Sequence, residues 1–228
     1  MMRSITTLLF CAVLLTSCKS DKSNSTHKGQ DKSLSIAEKI ANAHGYENWK
    51  NVSEVQFTFK VDRDSVKGKG RNWVWQPKSD NITLTMGEEI ITYKRSAMDS
   101  THIAADRAFV NDKFWLFVPF QLVWDTSANV SDSKIALAPI SQTDMQMITL
   151  SYPDDRGGYT PGDAYDIYFD DNYLIREWTF RKGNSPEPTL STTFENYQDF
   201  KGIKIAIDHK RPDANWNLNF ADVSVALE

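Results

Sequence analysis

The most apolar stretch beyond the first residues of the chain is FVNDKFWLFVPFQLVW, residues 109–124. It carries charges only at Asp112 and Lys113, and Pro119 interrupts its second half. The run falls short of the about 20 consecutive apolar residues that a bilayer span requires. We therefore expect the rest of the fold to cover it.

A short amphipathic helix is predicted to open the folded part. Ser35 and Glu38 form a capping box, in which each side chain satisfies a backbone donor at the helix start. Ile36 begins an apolar stripe, and Gly45 supplies the stop. We expect His44, at the helix end, to favour the helix dipole when protonated rather than to bind a metal.

After Trp49 the apolar positions alternate, as in half-buried strands. The first four predicted strands follow one another with short links, which indicates an antiparallel meander. The predicted strands are 55–61, 73–75, 82–86, 90–94, 134–138, 145–152, 163–169, 173–181, 190–197, 203–207 and 216–225.

The alternation is interrupted once, by a segment of helical character at residues 100–117. Pro119 lacks a backbone donor, so we expect it to end or kink this helix before a returning strand or loop. Residues 125–133 are polar and are predicted to be a loop.

Together these elements predict a mainly β fold. Open twisted sheets of about ten strands tend to curl, so we expect a large curled antiparallel sheet, a half-open β-barrel, with the N-terminal helix and a helical insert plugging its concave face. The aromatic residues predicted to line an apolar ligand cavity are Phe57, Phe59, Trp73, Trp75, Phe109, Phe114, Trp115, Phe117, Phe120, Trp124 and Trp178. The alternative is that the same rings simply fill a packed core.

The N-terminus predicts export and lipid anchoring. Residues 1–17 have Arg3 followed by a short apolar core, as in a secretory signal peptide. Residues 15–18, Leu-Thr-Ser-Cys, resemble the bacterial lipobox, which makes Cys18 the lipid attachment site. Residues 18–33 are polar and are predicted to be a flexible tether, and residues 34–228 a single domain.

Composition narrows the function classes. The net charge is −4, so the sequence has no basic footprint for nucleic acid. The chain has two cysteines; Cys11 would leave with the signal peptide and Cys18 would be alkylated, which excludes thiol catalysis and a disulfide. No catalytic motif occurs, and we expect no cofactor and no metal.

Two polar groups leave other functions open. The carboxylates between Asp154 and Asp171 suggest calcium binding or a carbohydrate-related activity, although their spacing does not match an EF-hand loop. His102 and His209 have no paired metal-binding spacing, and we expect His209 to be an exposed neighbour of a turn. A structural or adaptor lipoprotein is the third possibility.

The order of elements, the block 114–120 and the hairpin 168–178 resemble the LolA/LolB-like family of lipoprotein and lipid carriers, and in particular lipoproteins of this type from Bacteroidetes. The resemblance implies a half-open β-barrel that binds acyl chains, and it brings no catalytic residues. LolA is a soluble shuttle, whereas Cys18 would tether this protein. We therefore expect a monomer, anchored to the outer or inner membrane and facing the periplasm, that binds a lipid or a lipoprotein acyl chain.

Overall fold

Antiparallel strands dominate the computed structural model, which describes residues 33–228. The predicted signal peptide, Cys18 and nearly all of the tether lie outside the described residues. The α-helices are α1 (Ile36–Ala43) and α2 (Ile103–Trp124), and short 3-10 helices occupy Tyr46–Asn51, Arg95–Ala97, Ser100–His102 and Lys182–Asn184. The strands are β1 (Val52–Arg63), β2 (Arg71–Gln76), β3 (Asn81–Met86), β4 (Glu89–Lys94), β5 (Asn129–Val130), β6 (Lys134–Leu137), β7 (Asp144–Ser151), β8 (Ala164–Phe169), β9 (Ile175–Arg181), β10 (Leu190–Thr193), β11 (Glu195–Phe200), β12 (Ile203–Lys210) and β13 (Trp216–Leu227).

The strands form two antiparallel sheets. The first has seven strands in the order β11-β12-β13-β1-β2-β3-β4, and the predicted meander is its β1–β4 part. The second has six, in the order β10-β9-β8-β7-β5, with β6 also paired to β7. The predicted hairpin is β8 and β9, with Ile167 opposite Trp178.

A continuous chain segment joins the two sheets. Residues 190–193 pair with β9 in the second sheet, and residues 195–200 pair with β12 in the first. Between them, the Phe194 backbone N–H donates to the Arg176 carbonyl at 2.7 Å. This junction joins the two sheets along one side, and no pairing among the described residues joins β4 to β5 or β6 on the other. The predicted mainly β fold, curled and open, is confirmed.

Helix α2 lies against the face toward which both sheets curl. Phe109 meets the Trp73 ring of β2 at 5.4 Å between centroids, and Trp115 meets the Trp178 ring of β9 at 4.3 Å. A single helix can contact both sheets only from their shared inner side. Burial of each large apolar side chain there stabilises the fold by roughly 1.5 to 3 kcal/mol.

Pro119 kinks α2 but does not end it. The backbone leaves helical geometry at Phe117, with φ −123° and ψ 27°, and the helix then continues to Trp124. The missing proline N–H and its ring disturb the preceding turn. The expected return to a strand or loop after Pro119 was wrong, because residues beyond the kink, such as Phe120 and Leu122, are also buried and hold the last turns in place.

The predicted capping box of α1 is present. Ser35 Oγ accepts from the Glu38 N–H at 3.2 Å, and the Ser35 N–H donates to Glu38 Oε2 at 2.7 Å. Gly45 follows the helix with φ 88°, and a Cβ there would lie 1.8 Å from the Gly202 carbonyl oxygen. The end of α1 therefore docks closely on the turn between β11 and β12.

Two expectations for histidines were wrong. His44 is buried, and its two ring nitrogens meet the Ile40 carbonyl at 2.8 Å and the Tyr197 hydroxyl at 3.2 Å. His209 lies fully buried within β12, among the rings of Phe194, Trp115 and Phe220. Burial lowers the pKa of each ring to about 4, so both are neutral at pH 7.

The main hydrophobic core lies within a single compact unit. Residues Leu34–Glu228 form one compact unit, which contains the main hydrophobic cluster. None of the helices among residues 33–228 has the combination of length and apolarity that a membrane span needs.

Candidate functional site

A cavity of about 420 Å³ lies between α2 and the second sheet. Its volume is within the range of about 300 to 1,000 Å³ that is usual for small-molecule sites. Helix α2 supplies one wall, strands β8 to β10 supply the opposite wall, and the segment 152–163, here called the cavity loop, borders both.

The apolar lining consists mainly of aromatic rings. On α2, Phe114 and Trp115 face the cavity, and on the second sheet Tyr165, Trp178 and Phe180 face it. These rings support one another: Phe114 meets Tyr165 at 4.7 Å and Tyr165 meets Phe180 at 5.1 Å between centroids. Rings held in contact in this way form a rigid apolar surface, which suits a long hydrocarbon group.

Three cationic side chains also border the cavity: Arg95, Arg107 and Lys113. Arg95 Nε donates to Asp106 Oδ1 at 2.9 Å. The Arg107 guanidinium lies over the Tyr159 ring at 5.3 Å. Neither Arg107 nor Lys113 forms an ion pair with any described residue.

Lys113 has an unusual environment for an ammonium group. Its Nζ lies 5.3 Å from the ring centre of Trp124 and 5.7 Å from that of Trp75, and 3.5 Å from Gln121 Oε1. Burial, with a smaller contribution from Arg95, lowers its pKa to about 8. Most of the population is therefore still protonated at pH 7, without a carboxylate partner.

A second, more open recess of about 460 Å³ adjoins the first cavity. It is lined by Trp49, Trp75 and Trp124, and it shares four polar residues with the cavity. The shared residues are Arg95, Lys113, Gln121 and Asp125. Lys113 thus lies at the boundary between the aromatic cavity and a more open recess.

Buried carboxylates fix α2 to the first sheet. Asp112, fully buried, accepts from Arg71 Nη2 at 2.6 Å, Arg71 Nε at 2.7 Å and Trp73 Nε1 at 2.8 Å. Asp106, also fully buried, accepts from Arg95 and from the hydroxyls of Tyr93 and Tyr159. Removing one partner of a buried pair leaves an uncompensated charge and is strongly destabilising, so these bonds resist movement of α2.

The cavity loop is attached both to α2 and to itself. The Tyr159 hydroxyl donates to Asp106 Oδ2 at 2.9 Å, and within the loop the Gly162 N–H donates to the Pro153 carbonyl. Gly157 has φ 102°, and a Cβ there would lie 2.7 Å from the Tyr152 ring. Glycine therefore lets the loop turn close over the cavity wall.

The structure divides the predicted ligand-binding residues into three groups. Phe114, Trp115 and Trp178 line the cavity, and Trp75 and Trp124 line the adjoining recess. The remaining predicted residues lie within the packed core: Phe57, Phe59, Trp73, Phe109, Phe117 and Phe120.

The acidic residues between Asp154 and Asp171 are dispersed over separate contacts. Asp166 pairs with Arg181 at 2.8 Å, and Asp170 pairs with Arg176 at 2.6 Å. Asp163 accepts from the Gly183 N–H at 2.8 Å. Within residues 33–228, no group of three or more His, Cys, Asp or Glu side chains is placed to hold a metal ion.

Several lining residues were not predicted from the sequence. Tyr152, Tyr165 and Phe180 follow a strand alternation that gave no sign of facing a cavity. Lys113 stood out only as a charge within an apolar run. A lysine in such a run was the available signal, and its role depends on which residues fold beside it.

The fold and the cavity together define a class of chain: an open, curled antiparallel β structure that holds a kinked helix on its inner face. No protein-family model matches the chain, and no curated protein matches it. The structure is similar to that of a LolA superfamily protein from Nitrosomonas europaea, with a TM-score of 0.48 and 10% identity over 85% of this chain and 94% of that chain. It is also similar to that of a DUF1329 family protein from Desulfovibrio piger, with a TM-score of 0.45 and 6% identity over 83% and 91% of the two chains. The first of these is of the family that the sequence resembles; at these identities neither assigns a role to any residue here.

Proposed function

We propose that this protein is a lipoprotein of the bacterial cell envelope that binds a single hydrophobic ligand, a lipid or an acyl chain, in the cavity between α2 and the second sheet. The observation that supports it most is the cavity of about 420 Å³ whose opposing walls are aromatic rings. An apolar space with a few polar groups at one side is the usual form of a small-molecule site. The acyl-chain binding implied by the sequence resemblance points the same way.

The proposed action is binding and shielding, without covalent chemistry. Rings of Phe114, Trp115 and Trp178 would cover the hydrocarbon, and the rest of the predicted aromatic set would hold those rings in position through the core. Apolar surface removed from water contributes about 25 cal/mol per Å², so a long chain gains affinity in proportion to its buried length.

A variant that fills the cavity tests this proposal. Val110 lies on α2 and lines the cavity, so Val110→Trp should occupy the space that a ligand needs. The protein beginning at Lys19 is purified, its lipids are extracted, and the extract is analysed by mass spectrometry. We expect a co-purified amphiphile with the unaltered chain and its loss with Val110→Trp.

The matched control is Val66→Trp, because the Val66 side chain, between β1 and β2, is exposed and is not part of the cavity lining. It should leave the bound lipid unchanged. An empty preparation of the unaltered protein that also fails to bind a fluorescent fatty acid would contradict the proposed function.

The membrane anchor is a separate part of the proposal. Cys18 would carry the acyl chains, and more than one chain is needed for stable anchoring. We expect Cys18→Ala to move the protein from the membrane fraction to the soluble fraction and to abolish incorporation of labelled palmitate. Cys11→Ala, within the predicted signal peptide, should change neither result; unaltered fractionation of Cys18→Ala would refute the anchor.

A further inference from the structure

Lys113 is a cation at the edge of an aromatic cavity, and it forms no ion pair with any described residue. From this position we propose that the ligand is an amphiphile with one anionic head, a carboxylate or a phosphate, and that the head pairs with Lys113 while the acyl chain fills the cavity. This inference rests on the proposed function and specifies its ligand class.

The groups around Lys113 compensate its charge only in part. A charged group removed from water is costly unless it is paired, and two aromatic faces with one amide oxygen compensate it only in part. Arg95 is also positively charged, so it does not compensate the charge of Lys113. The carboxylates of Asp125 and Asp106 favour the charged form of Lys113, but neither forms an ion pair with it; Asp125 Oδ2 accepts from Gln121 at 2.9 Å, and Oδ1 accepts from the Ser127 N–H at 3.0 Å.

The position of Lys113 also matches the two ends of an amphiphile. On one side lies the cavity lined by Phe114, Trp178 and Phe180; on the other lies the more open recess. A head group at this boundary would keep contact with water while its chain is removed from it. An apolar ligand without a head would leave the ammonium as it is now.

Arg95 offers a second donor for the same head. Only its Nε is used by Asp106, and its terminal nitrogens form no hydrogen bond with any described residue. Arg95 lines both the cavity and the recess, as Lys113 does. Guanidinium groups suit carboxylate and phosphate oxygens, so the two cations together define an anion site that either head chemistry fits.

The experiment compares ligands that differ only in the head. A saturated fatty acid, the alkyl phosphate of equal chain length and the corresponding fatty alcohol compete with a fluorescent fatty acid for the protein beginning at Lys19. We expect at least one of the anions to bind about tenfold or more tightly than the alcohol, since hydrogen bonds to charged groups are the stronger ones. Whichever anion binds more tightly identifies the head chemistry.

The variant Lys113→Met keeps the apolar stem and removes the charge. It should bring the affinities for acid and alcohol to within about threefold of each other while alcohol binding persists. Lys113→Gln provides a second neutral variant, and Lys134→Met, an exposed lysine on β6, should preserve the full preference. Equal binding of acid and alcohol by the unaltered protein, or a preference that survives in both Lys113 variants, overturns this inference alone. If none of the three ligands binds, the proposed function fails with it.

Discussion

At the scale of single residues, the main departures from expectation are polar groups inside the core. His209 was expected to be exposed beside a turn, and His44 was expected to be protonated at the end of α1. Their rings instead occupy buried positions, where His209 Nδ1 meets the Thr193 carbonyl at 3.2 Å and its Nε2 has no hydrogen-bond partner among the described residues. Strand alternation alone cannot distinguish an inward histidine from an outward one.

Because His44 and His209 are buried, we expect the protein to lose stability in mild acid. Burial lowers the pKa of each to about 4, against an ordinary value of 6.5, so between these values the unfolded chain binds more protons than the folded one. The free energy of unfolding should therefore be highest above pH 6.5 and decline as the pH falls to about 4, by up to roughly 3 kcal/mol for each ring. Urea unfolding at pH 7.0 and pH 4.5 measures the difference.

His209→Phe isolates one contribution. A phenyl ring fits the surrounding aromatic rings of Trp115, Phe194 and Phe220, and it cannot titrate. We expect the decline in stability between the two pH values to become smaller, while His27→Asn, in the predicted tether, leaves it unchanged. An undiminished decline in His209→Phe would mean that other groups cause the acid sensitivity.

The aromatic residues of α2 show which part of the site could be predicted from the sequence. The aromatic run made Phe114 and Trp115 visible, because so many large rings in one helix must be buried. The same run could not show that Phe117 and Phe120 pack against Trp49 and Tyr46 while Phe114 faces open space. That division depends on how the helix is rotated relative to the two sheets.

At the scale of elements, helix α2 and the cavity loop have different roles. Asp106 and Asp112 bind α2 to side chains on or next to strands of the first sheet through buried charged hydrogen bonds. We therefore expect α2 to act as a fixed wall. We expect the cavity loop, which Tyr159 and Tyr152 attach to α2, to be the part that opens for a ligand. Loops with few buried contacts open at a lower free-energy cost than core helices.

Tyr159→Phe tests this division. The substitution removes one hydrogen bond to Asp106, which keeps its bonds to Arg95 and Tyr93. A single such bond contributes about 0.5 to 1.5 kcal/mol, so the loop should open more often while the global stability changes little. We expect faster amide hydrogen exchange in residues 152–163 and faster release of a fluorescent fatty acid.

The matched control is Tyr46→Phe, which removes a hydroxyl from the segment after α1, where the ring packs on Phe120. It should leave exchange in the cavity loop and ligand release unaltered. If Tyr159→Phe instead accelerates exchange along α2 and leaves the loop unaffected, the helix is the moving part.

The bounds of the helices and strands show which elements local sequence patterns predict. The capping box and alternating strands are local signals, and α1, β1 and the β8–β9 hairpin follow them closely. The extension of α2 past Pro119 and the division of residues 190–200 between two sheets depend on distant partners. Packing of Phe120 against Trp49 helps to keep the last turns of α2 helical. Pairing with β9 and with β12 assigns residues 190–193 and 195–200 to different sheets.

At the scale of the whole molecule, an open pair of joined sheets leaves an internal space that α2 fills only in part. Six of the predicted aromatic residues, from Phe57 to Phe120, pack only in the core. The other five line the cavity or the recess. The core and the cavity-lining interpretations therefore both apply, and Trp115 and Trp178 belong to both sets. With the lipid anchor proposed at Cys18, such a domain would hold its ligand close to a membrane surface.

The most direct test is the stoichiometry of ligand binding. The protein beginning at Lys19 is stripped of lipid and titrated with a fluorescent fatty acid at a protein concentration well above the dissociation constant. We expect saturation at one ligand per chain and quenching of tryptophan fluorescence from Trp115 and Trp178. Both signals should be lost in Val110→Trp but not in Val66→Trp. No saturable binding, or equal binding by the two variants, would contradict the proposed function.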